Sequence, residues 1–532
     1  MKIVSEPSIP QKIQKMKERV RWEHPAIAER GIDPTGLVLD DGKQDDRVFS
    51  FLVLGDSGTG RHREDNPQRR VAEAALEIGA DCRFMLHTGD VVYLVGSSEQ
   101  YPENFIRPYR EFLVGGDKPE EIAYDRMIFK RPILPVLGNH DYYDLPWIWG
   151  LISQAALPLR RLLQSQFNFD VDVGWHGSFG GDAYARAFLD YRRALDGDRL
   201  KAHLDRHYTA KNAIGRCLHY QPGAFTRLPN RYYTFRYGGI DFFALDSNTF
   251  NVPLALPKSR EGQQMRQQLR SRRTELERER AQLLERAAQI DPNDREASEA
   301  IDDCYAKAEQ LSEQIFDIDK QLEVSKGNVM VDFEQLDWLR ERLIESWNTE
   351  EVRGRIIFFH HPPYVTEATK WDQGQTLAIR HHLRQVLDSV TRTVGPIPPD
   401  RPLVDVIFNG HAHCLEYLRT GDTGHGDANL NWIVCGGSGF SLRRQRSEGE
   451  GLLETFNDGN GRRSREVARS HLYVGRNGRG SNKHRPYSGL RVDVAAGSPP
   501  KLTVRPFVVE KFKGQWKNYS LEAFTLGVGE MG

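Results

Sequence analysis

Short runs rich in Val, Ile, Leu and Phe recur from Arg47 onward at 48–54, 83–87, 132–137, 240–245, 355–359, 404–408 and 431–435. Each is too short for a helix and mostly apolar, the signature of strands buried on both faces. Between them lie helical patterns such as RRVAEAALEIGA at 69–80, so the rhythm predicts α/β units. From His471 the alternation running through VDVAAGSPPKLTVRPFVVEKF predicts hairpin strands that close a sheet.

Residues 258–326 follow a different period. They are mostly Glu, Arg, Gln and Leu, with no glycine between Gly262 and Gly327. Leu269, Leu276, Leu283 and Ile290 stand seven apart, and Ala297, Ile301, Cys304, Ala308, Leu311, Ile315, Ile318 and Leu322 alternate steps of four and three. With DPND at 291–294 as the turn, this predicts an antiparallel coiled-coil hairpin. At ~1.5 Å per residue its helices reach on the order of 45 Å, and it is expected to project as an arm from the body. The Arg-, Gly- and Ser-rich stretches 441–466 and 475–486 read as mobile, solvated loops first, with guidance of a phosphate-bearing substrate by their arginines as the alternative, and no repeat of solenoid type is present.

Composition narrows the function classes. The 532 residues suffice for two or three domains, or for one large domain carrying insertions. Lys and Arg total 73 against 74 for Asp and Glu, so no global field draws the chain to nucleic acid or an anionic membrane. Five cysteines without a CxxC spacing argue against a disulfide framework or a thiolate metal site. The amino terminus lacks the apolar stretch of a secretory signal, and a cytoplasmic location is expected. The most membrane-like segment, LPWIWGLISQAALPL at 145–159, is shorter than the ~20 apolar residues of a spanning helix, so no transmembrane segment is expected.

The candidate chemistry lies just past the strands: GDSG at 55–58, GDVVY at 89–93, GNHD at 138–141, HHPP at 360–363 and GHAH at 410–413. Each block is weak alone, but the carboxyl ends of parallel strands converge on one edge of an α/β sheet, so these blocks should meet. Two carboxylates, an amide oxygen, three imidazoles and a phenol form a donor set suited to iron, manganese, zinc or magnesium. It is more than one ion needs. Two ions ~3.5–4 Å apart would use it, the arrangement that holds the attacking and leaving oxygens in phosphoryl displacement.

In this order GDSG, GDVVY, GNHD, FFHHPPY and GHAH resemble the blocks of the calcineurin-like metallophosphoesterases, specifically the purple acid phosphatase branch, over roughly residues 47–440. The stretches YYTFRYGGIDFFALDSN at 232–248 and QLDWLRERL at 335–343 add to the likeness. The resemblance implies an α/β (α+β) fold, a four-layer αββα sandwich of two mixed sheets, occupying 47–532 after an N-terminal extension 1–46, with the hairpin 258–326 inserted. It implies a first metal on Asp56, Asp90, Tyr93 and His413 and a second on Asp90, Asn139, His360 and His411, bridged by Asp90. Most of that superfamily has DxH in the first block; here Gly58 removes the histidine, and Tyr93 of GDxxY takes its place. A phenolate favours Fe(III) at the Tyr93 site, with Fe(II), Zn or Mn at the second. His140 would face substrate and protonate the leaving group, His361 and Asp141 stand as further candidates for substrate contact, and a metal-activated hydroxide would attack phosphorus.

The implied activity is hydrolysis of a phosphorylated small molecule, a phosphomonoester first. A phosphodiesterase acting on nucleotides or phospholipid head groups remains open, as does an assembly or binding protein that uses the 258–326 arm for a protein partner or self-association. No nucleic-acid partner is expected. GDVVYLVG in place of GDxVDRG disfavours peptide phosphoserine. The long stretch from Asp141 to Tyr232 is expected to shape the substrate pocket.

Overall fold

The computed structural model describes residues 5–58, 66–144, 179–192, 195–290, 295–324, 330–398, 401–457, 461–479 and 482–526. Segment 145–159, the DPND turn and much of the expected pocket-shaping stretch lie outside them. No helix among the described residues is long and apolar enough to cross a membrane.

Two mixed sheets pack face to face. In the smaller, the parallel strands Phe49–Leu54, Met85–His87 and Ile133–Pro135 are adjacent, and Phe49–Leu54 also pairs antiparallel with His484–Val494. The hairpin expected in the tail is His484–Val494 with Leu502–Phe512, extended by Gln515–Ser520. In the larger sheet, Ile240–Ala244, Gly354–Phe358, Val406–Asn409 and Asn431–Cys435 run parallel in that order. Seven apolar runs in the sequence therefore become seven strands, each within a few residues of its expected bounds.

Period-two alternation explains the layering. Phe242, Ile356, Phe358 and Phe408 face the smaller sheet, where Phe51 and Phe84 meet them edge to face: Phe51 is 5.7 Å from Phe242 and 6.1 Å from Phe408 between ring centres. Their neighbours Phe243, Ile357 and Ile407 point the other way, into a second core under helices Phe333–Trp347 and Gly374–Val394. Helix Pro67–Ile78 lies against the tail strands of the smaller sheet. The order is helix, sheet, sheet, helix, the four-layer αββα sandwich. Each aromatic so buried contributes roughly 1.5–3 kcal/mol.

Three expectations change. Strand Ile32–Leu39, inside the supposed N-terminal extension, pairs in parallel with Arg216–Tyr220 and Tyr233–Tyr237, so the extension is stitched into the larger sheet. The supposed loop 441–466 contains strand Gly451–Asn457 and the start of Arg462–Val474, paired antiparallel at that sheet's edge. Leu452, Val467, Ala468 and Ser470 are buried while Leu453, Glu466 and Arg469 are exposed. The charges that hid the strands are those that keep an edge from pairing with other chains.

The hairpin is the third. Helices Arg260–Ala288 and Arg295–Val324 pack antiparallel along Leu269, Leu276, Leu283, Leu311, Ile315, Ile318 and Leu322, as the spacing requires. It does not stand clear of the body. The second helix is pressed onto it: Lys320 pairs with Glu6 at 2.5 Å, Asp303 pairs with Arg476 and Lys483, and Phe316 meets Tyr143. Asp317, 4% exposed, accepts from the backbone N–H groups of Gly374 and Gln375 at 2.7 and 3.0 Å, capping the helix that begins there. A charged helix face found its counter-charges on the body rather than in water.

Glu416, wholly buried, accepts from the Thr366 backbone N–H at 3.0 Å, and burial pushes its carboxyl up to about 7. The folded chain keeps this proton while an unfolded glutamate, near 4.5, has lost it, so stability falls as pH rises from about 4.5 to 7 and is flat beyond. Glu416→Gln should remove that loss and leave the variant ~1–3 kcal/mol more stable than the parent at pH 8, with little difference at pH 4.5, in urea titrations.

Candidate metal centre

Five strands deliver the site. Phe49–Leu54, Met85–His87 and Ile133–Pro135 run out into Asp56, Asp90 and Asn139; Gly354–Phe358 and Val406–Asn409 run out into His360 and into His411 and His413. The first three are neighbours in one sheet and the last two in the other, so the ligands gather where the carboxyl edges of both sheets meet. All are buried, with exposures between 0% for Asp56 and 8% for His411.

The seven side chains form two sets of four with one member shared. Tyr93 Oη lies 2.7 Å from Asp90 Oδ2, 3.0 Å from Asp56 Oδ1 and 3.4 Å from His413 Nε2. Asn139 Oδ1 lies 3.0 Å from both His360 Nε2 and His411 Nδ1, and His360 Nε2 is 3.4 Å from Asp90 Oδ2. The shared point is a single oxygen. Asp90 Oδ1 is engaged instead by the His140 backbone N–H at 2.9 Å, so Oδ2 alone faces both sets.

Two of the three imidazoles are aimed from behind by carbonyls. His360 Nδ1 lies 2.8 Å from the Thr88 carbonyl and His413 Nδ1 2.9 Å from the Ser441 carbonyl, which keeps a proton on Nδ1 and turns Nε2 inward, with its lone pair free in the neutral ring. The backbone is bent to the same end. Asp56, Asp90 and His411 sit at φ of 53°, 52° and 65°, left-handed values that non-glycine residues rarely adopt and that concentrate at functional sites.

Electrostatics favour positive charge between the sets. Burial, reinforced by Asp90, pushes the Asp56 carboxyl far above the usual range. Burial would raise Asp90 too, but His360 and His140 outweigh it and hold Asp90 low. His360 is pushed up to about 9, because Asp90 and Asp56 outweigh the burial that lowers it. Protons on Asp56 and His360 thus stand where cations would otherwise neutralise the carboxylates. Burial, with Arg443 beside it, lowers His413 to about 3, and burial with Lys370 beside it lowers His411 strongly, so both are neutral and ready to ligate. The donor set and its charge fit a pair of metal ions.

Gly58 is explained by contact. A Cβ there would stand 2.1 Å from the Val91 carbonyl oxygen and 2.4 Å from Val92 Cα. Its absence lets 91–93 close in, with the Tyr93 N–H donating to the Gly58 carbonyl at 2.9 Å, and so brings the phenol to Asp56 and Asp90. Phe440 stacks flat on Tyr93, 4.0 Å between ring centres. Gly138 serves similarly, since a Cβ on it would lie 2.1 Å from Asp90 Oδ1.

The remaining expected residues divide. His140, half-buried and 4.3 Å from the Tyr93 ring, turns Nδ1 to the Leu94 carbonyl at 2.6 Å and keeps Nε2 for other work. His361 joins His360 and His411 in a buried group in which one ring nitrogen of each lies within 4.8 Å of the others. It is buried behind His360 and His411, with Nδ1 2.8 Å from Ser247 Oγ and Nε2 3.2 Å from Asn251 Nδ2. Asp141 is spent inside the protein on the N–H groups of Gly138 and Val91, at 2.8 and 3.2 Å. Lys370, Gln375, Phe440 and Arg443 line the site without having been expected. The GGSGF that follows strand Asn431–Cys435 at the same edge was the available signal for Phe440.

Sandwich and site together make a four-layer αββα fold of two mixed sheets with a buried cluster of Asp, Asn, His and Tyr side chains where their carboxyl edges meet. No protein-family model and no curated protein matches the chain. Among solved structures it is similar to purple acid phosphatase PPD1 from yellow lupin (Lupinus luteus) seeds, with a TM-score of 0.39 and 12% identity over 91% of this chain and 55% of that one. It therefore spans about half the length of the lupin protein. It is also similar to GAP50, the anchor in the inner membrane complex of Plasmodium, with a TM-score of 0.35 and 10% identity over 91% of this chain and 90% of that one. At such values neither likeness is ground for a function; the side chains at the strand ends are.

Proposed function

We propose that the chain is a phosphoric ester hydrolase with a dinuclear metal centre, acting on phosphomonoesters. The observation that carries this is the pair of four-donor sets joined at Asp90 Oδ2. Asp56, Tyr93 and His413 with Asp90 would hold one ion; Asn139, His360 and His411 with Asp90 the other. The Tyr93 phenolate favours Fe(III) in its set, and Fe(II), Zn or Mn suits the second. Bound there, two ions would acidify a water and neutralise charge on the phosphoryl oxygens. The chain's own residues do the rest. His140, fixed through Nδ1 by Leu94, presents Nε2 to hand a proton to the departing alcohol, and Asp141 holds the Gly138 and Val91 turns that set the spacing of Asp90 and Asn139. His361, its ring centre 4.5 Å from that of His411, is the further candidate for substrate contact. Five buried cysteines without a disulfide support a reducing, cytoplasmic setting.

The test is metal analysis of the purified full chain, with p-nitrophenyl phosphate and bis-p-nitrophenyl phosphate as substrates. We expect about two metal equivalents, faster monoester cleavage, and a visible tyrosinate-to-iron band that Tyr93→Phe abolishes. Faster diester cleavage would make it a phosphodiesterase, and a metal-loaded chain inert on both would end the hydrolase reading.

A further inference from the structure

Two buried cations flank the ligand loop 410–413, and neither belongs to the seven-residue cage. Lys370 Nζ, on a side chain 3% exposed, is 3.0 Å from His411 Nε2. Arg443, equally buried, donates its backbone N–H to the His413 carbonyl at 2.9 Å. The carboxylate in contact with both comes from the hairpin: Glu313 Oε1 lies 3.0 Å from Arg443 Nη2 and Glu313 Oε2 lies 2.8 Å from Lys370 Nζ, while the buried Glu367 of the body interacts with both at longer range. Glu309 adds a longer contact to Arg443, at 3.3 Å. One carboxylate thus gives one oxygen to each cation, as a phosphate bridging the two would.

Structural economy does not account for the arrangement. Burying two cations beside two partly exposed acids costs desolvation of the cations that an apolar contact avoids, and the helix already has the Asp317 cap, the Lys320–Glu6 pair and the Phe316–Tyr143 contact to hold it. Arg443 Nε has no hydrogen-bond partner among the described residues, so the guanidinium is not fully used. The Lys370–His411 contact points the same way. For Nδ1 of His411 to ligate a metal, Nε2 must carry the proton, and an ammonium has only protons to offer. Once Nε2 carries that proton, the Lys370 ammonium finds no acceptor in His411 and is suited to an anion.

Resting on the phosphomonoesterase reading, we propose that Lys370 and Arg443 are the cations that receive the substrate's phosphate group, and that Glu313 holds their place until the hairpin helix withdraws. The hairpin is then a self-inhibiting lid whose carboxylate imitates the substrate. A dianionic monoester, carrying more charge than a diester, is the better competitor for that place. Burial would raise Glu313, yet Lys370 and Arg443 outweigh it and keep the carboxyl ionised and competitive.

Inorganic phosphate titrated calorimetrically into the full chain tests this, with metal content measured on the same samples. Glu313→Gln, which keeps the shape and removes the charge, should tighten phosphate binding roughly tenfold, the gain expected when a competing closed state is removed. Lys370→Met should weaken binding by a similar factor, and it carries the test should Glu313→Gln fail to fold. Unchanged affinity in folded, metal-replete Glu313→Gln, or in Lys370→Met, overturns the proposal while leaving the hydrolase reading intact. A chain that binds no metal but still answers to Glu313→Gln sinks the hydrolase reading and keeps the anion site.

Discussion

Asp90→Asn is expected to empty both halves of the site at once and to lower hydrolysis by at least about a thousandfold. The reason is the single oxygen. Oδ2 is 2.7 Å from the phenol of one set and 3.4 Å from His360 of the other, while Oδ1 receives the His140 N–H. An asparagine must put its amide nitrogen in one of these places. Facing the cage, it presents protons where cations need a lone pair; turned round, it sets N–H against the His140 N–H and unseats the loop carrying the proton donor. In either orientation the negative charge shared by two cations is gone, and their mutual repulsion is unrelieved. Cation stabilisation of a transferring phosphoryl group is worth several kcal/mol, and each 1.36 kcal/mol is tenfold in rate. In the metal-free chain the variant gives up the attraction of His360 and His140 that keeps Asp90 ionised, so its melting temperature in chelator should fall modestly while the fold persists. Metal analysis after gel filtration, turnover, and a melting curve in chelator check the three parts; a variant that retains both metals would show that Asp90 is not the bridge.

The cage was legible because its logic is local and then topological. A glycine beside an Asp, Asn or His after an apolar run is visible in the sequence, and parallel strands bring their carboxyl ends to one edge, so Asp56, Asp90, Asn139, His360, His411 and His413 could be grouped without coordinates. Tyr93 was legible only beside Gly58, since each is ordinary without the other. The hairpin's length and seam were equally plain, but its placement was not. Glu309, Glu313, Asp317 and Lys320 follow one another at steps of four and three, a charged stripe that reads as a solvated face. Their partners Glu6, Lys370, Gly374 and Arg443 are dozens to hundreds of residues away, and periodicity carries no information about counter-charges so distant. The edge strands Gly451–Asn457 and Arg462–Val474 were lost for a related reason, their charges imitating a loop.

Gly58→His would install the DxH pattern of the metallophosphoesterases that the sequence resembles, yet it is expected to disrupt the proposed first metal site rather than strengthen it. The nearest atoms to a Cβ at 58 are backbone, the Val91 carbonyl oxygen at 2.1 Å and Val92 Cα at 2.4 Å, and no rotamer change relieves a backbone clash. Segment 91–93 must retreat, losing the hydrogen bond from the Tyr93 N–H to the Gly58 carbonyl and carrying the phenol away from Asp56 and Asp90. Phe440, stacked on that phenol, loses its support as well. In this backbone a histidine at 58 and a tyrosine ligand at 93 therefore exclude one another. Overpacking of this kind costs ~1–3 kcal/mol, and contact with main chain places the variant at the upper end. Gly58→Ala, which adds the Cβ and no ligand, should match Gly58→His in melting temperature and in loss of one metal equivalent, isolating the clash from the imidazole. If Gly58→His instead kept both metals and no longer needed Tyr93, the backbone would have room that these contacts deny, and the pairing of glycine with tyrosine would be coincidence.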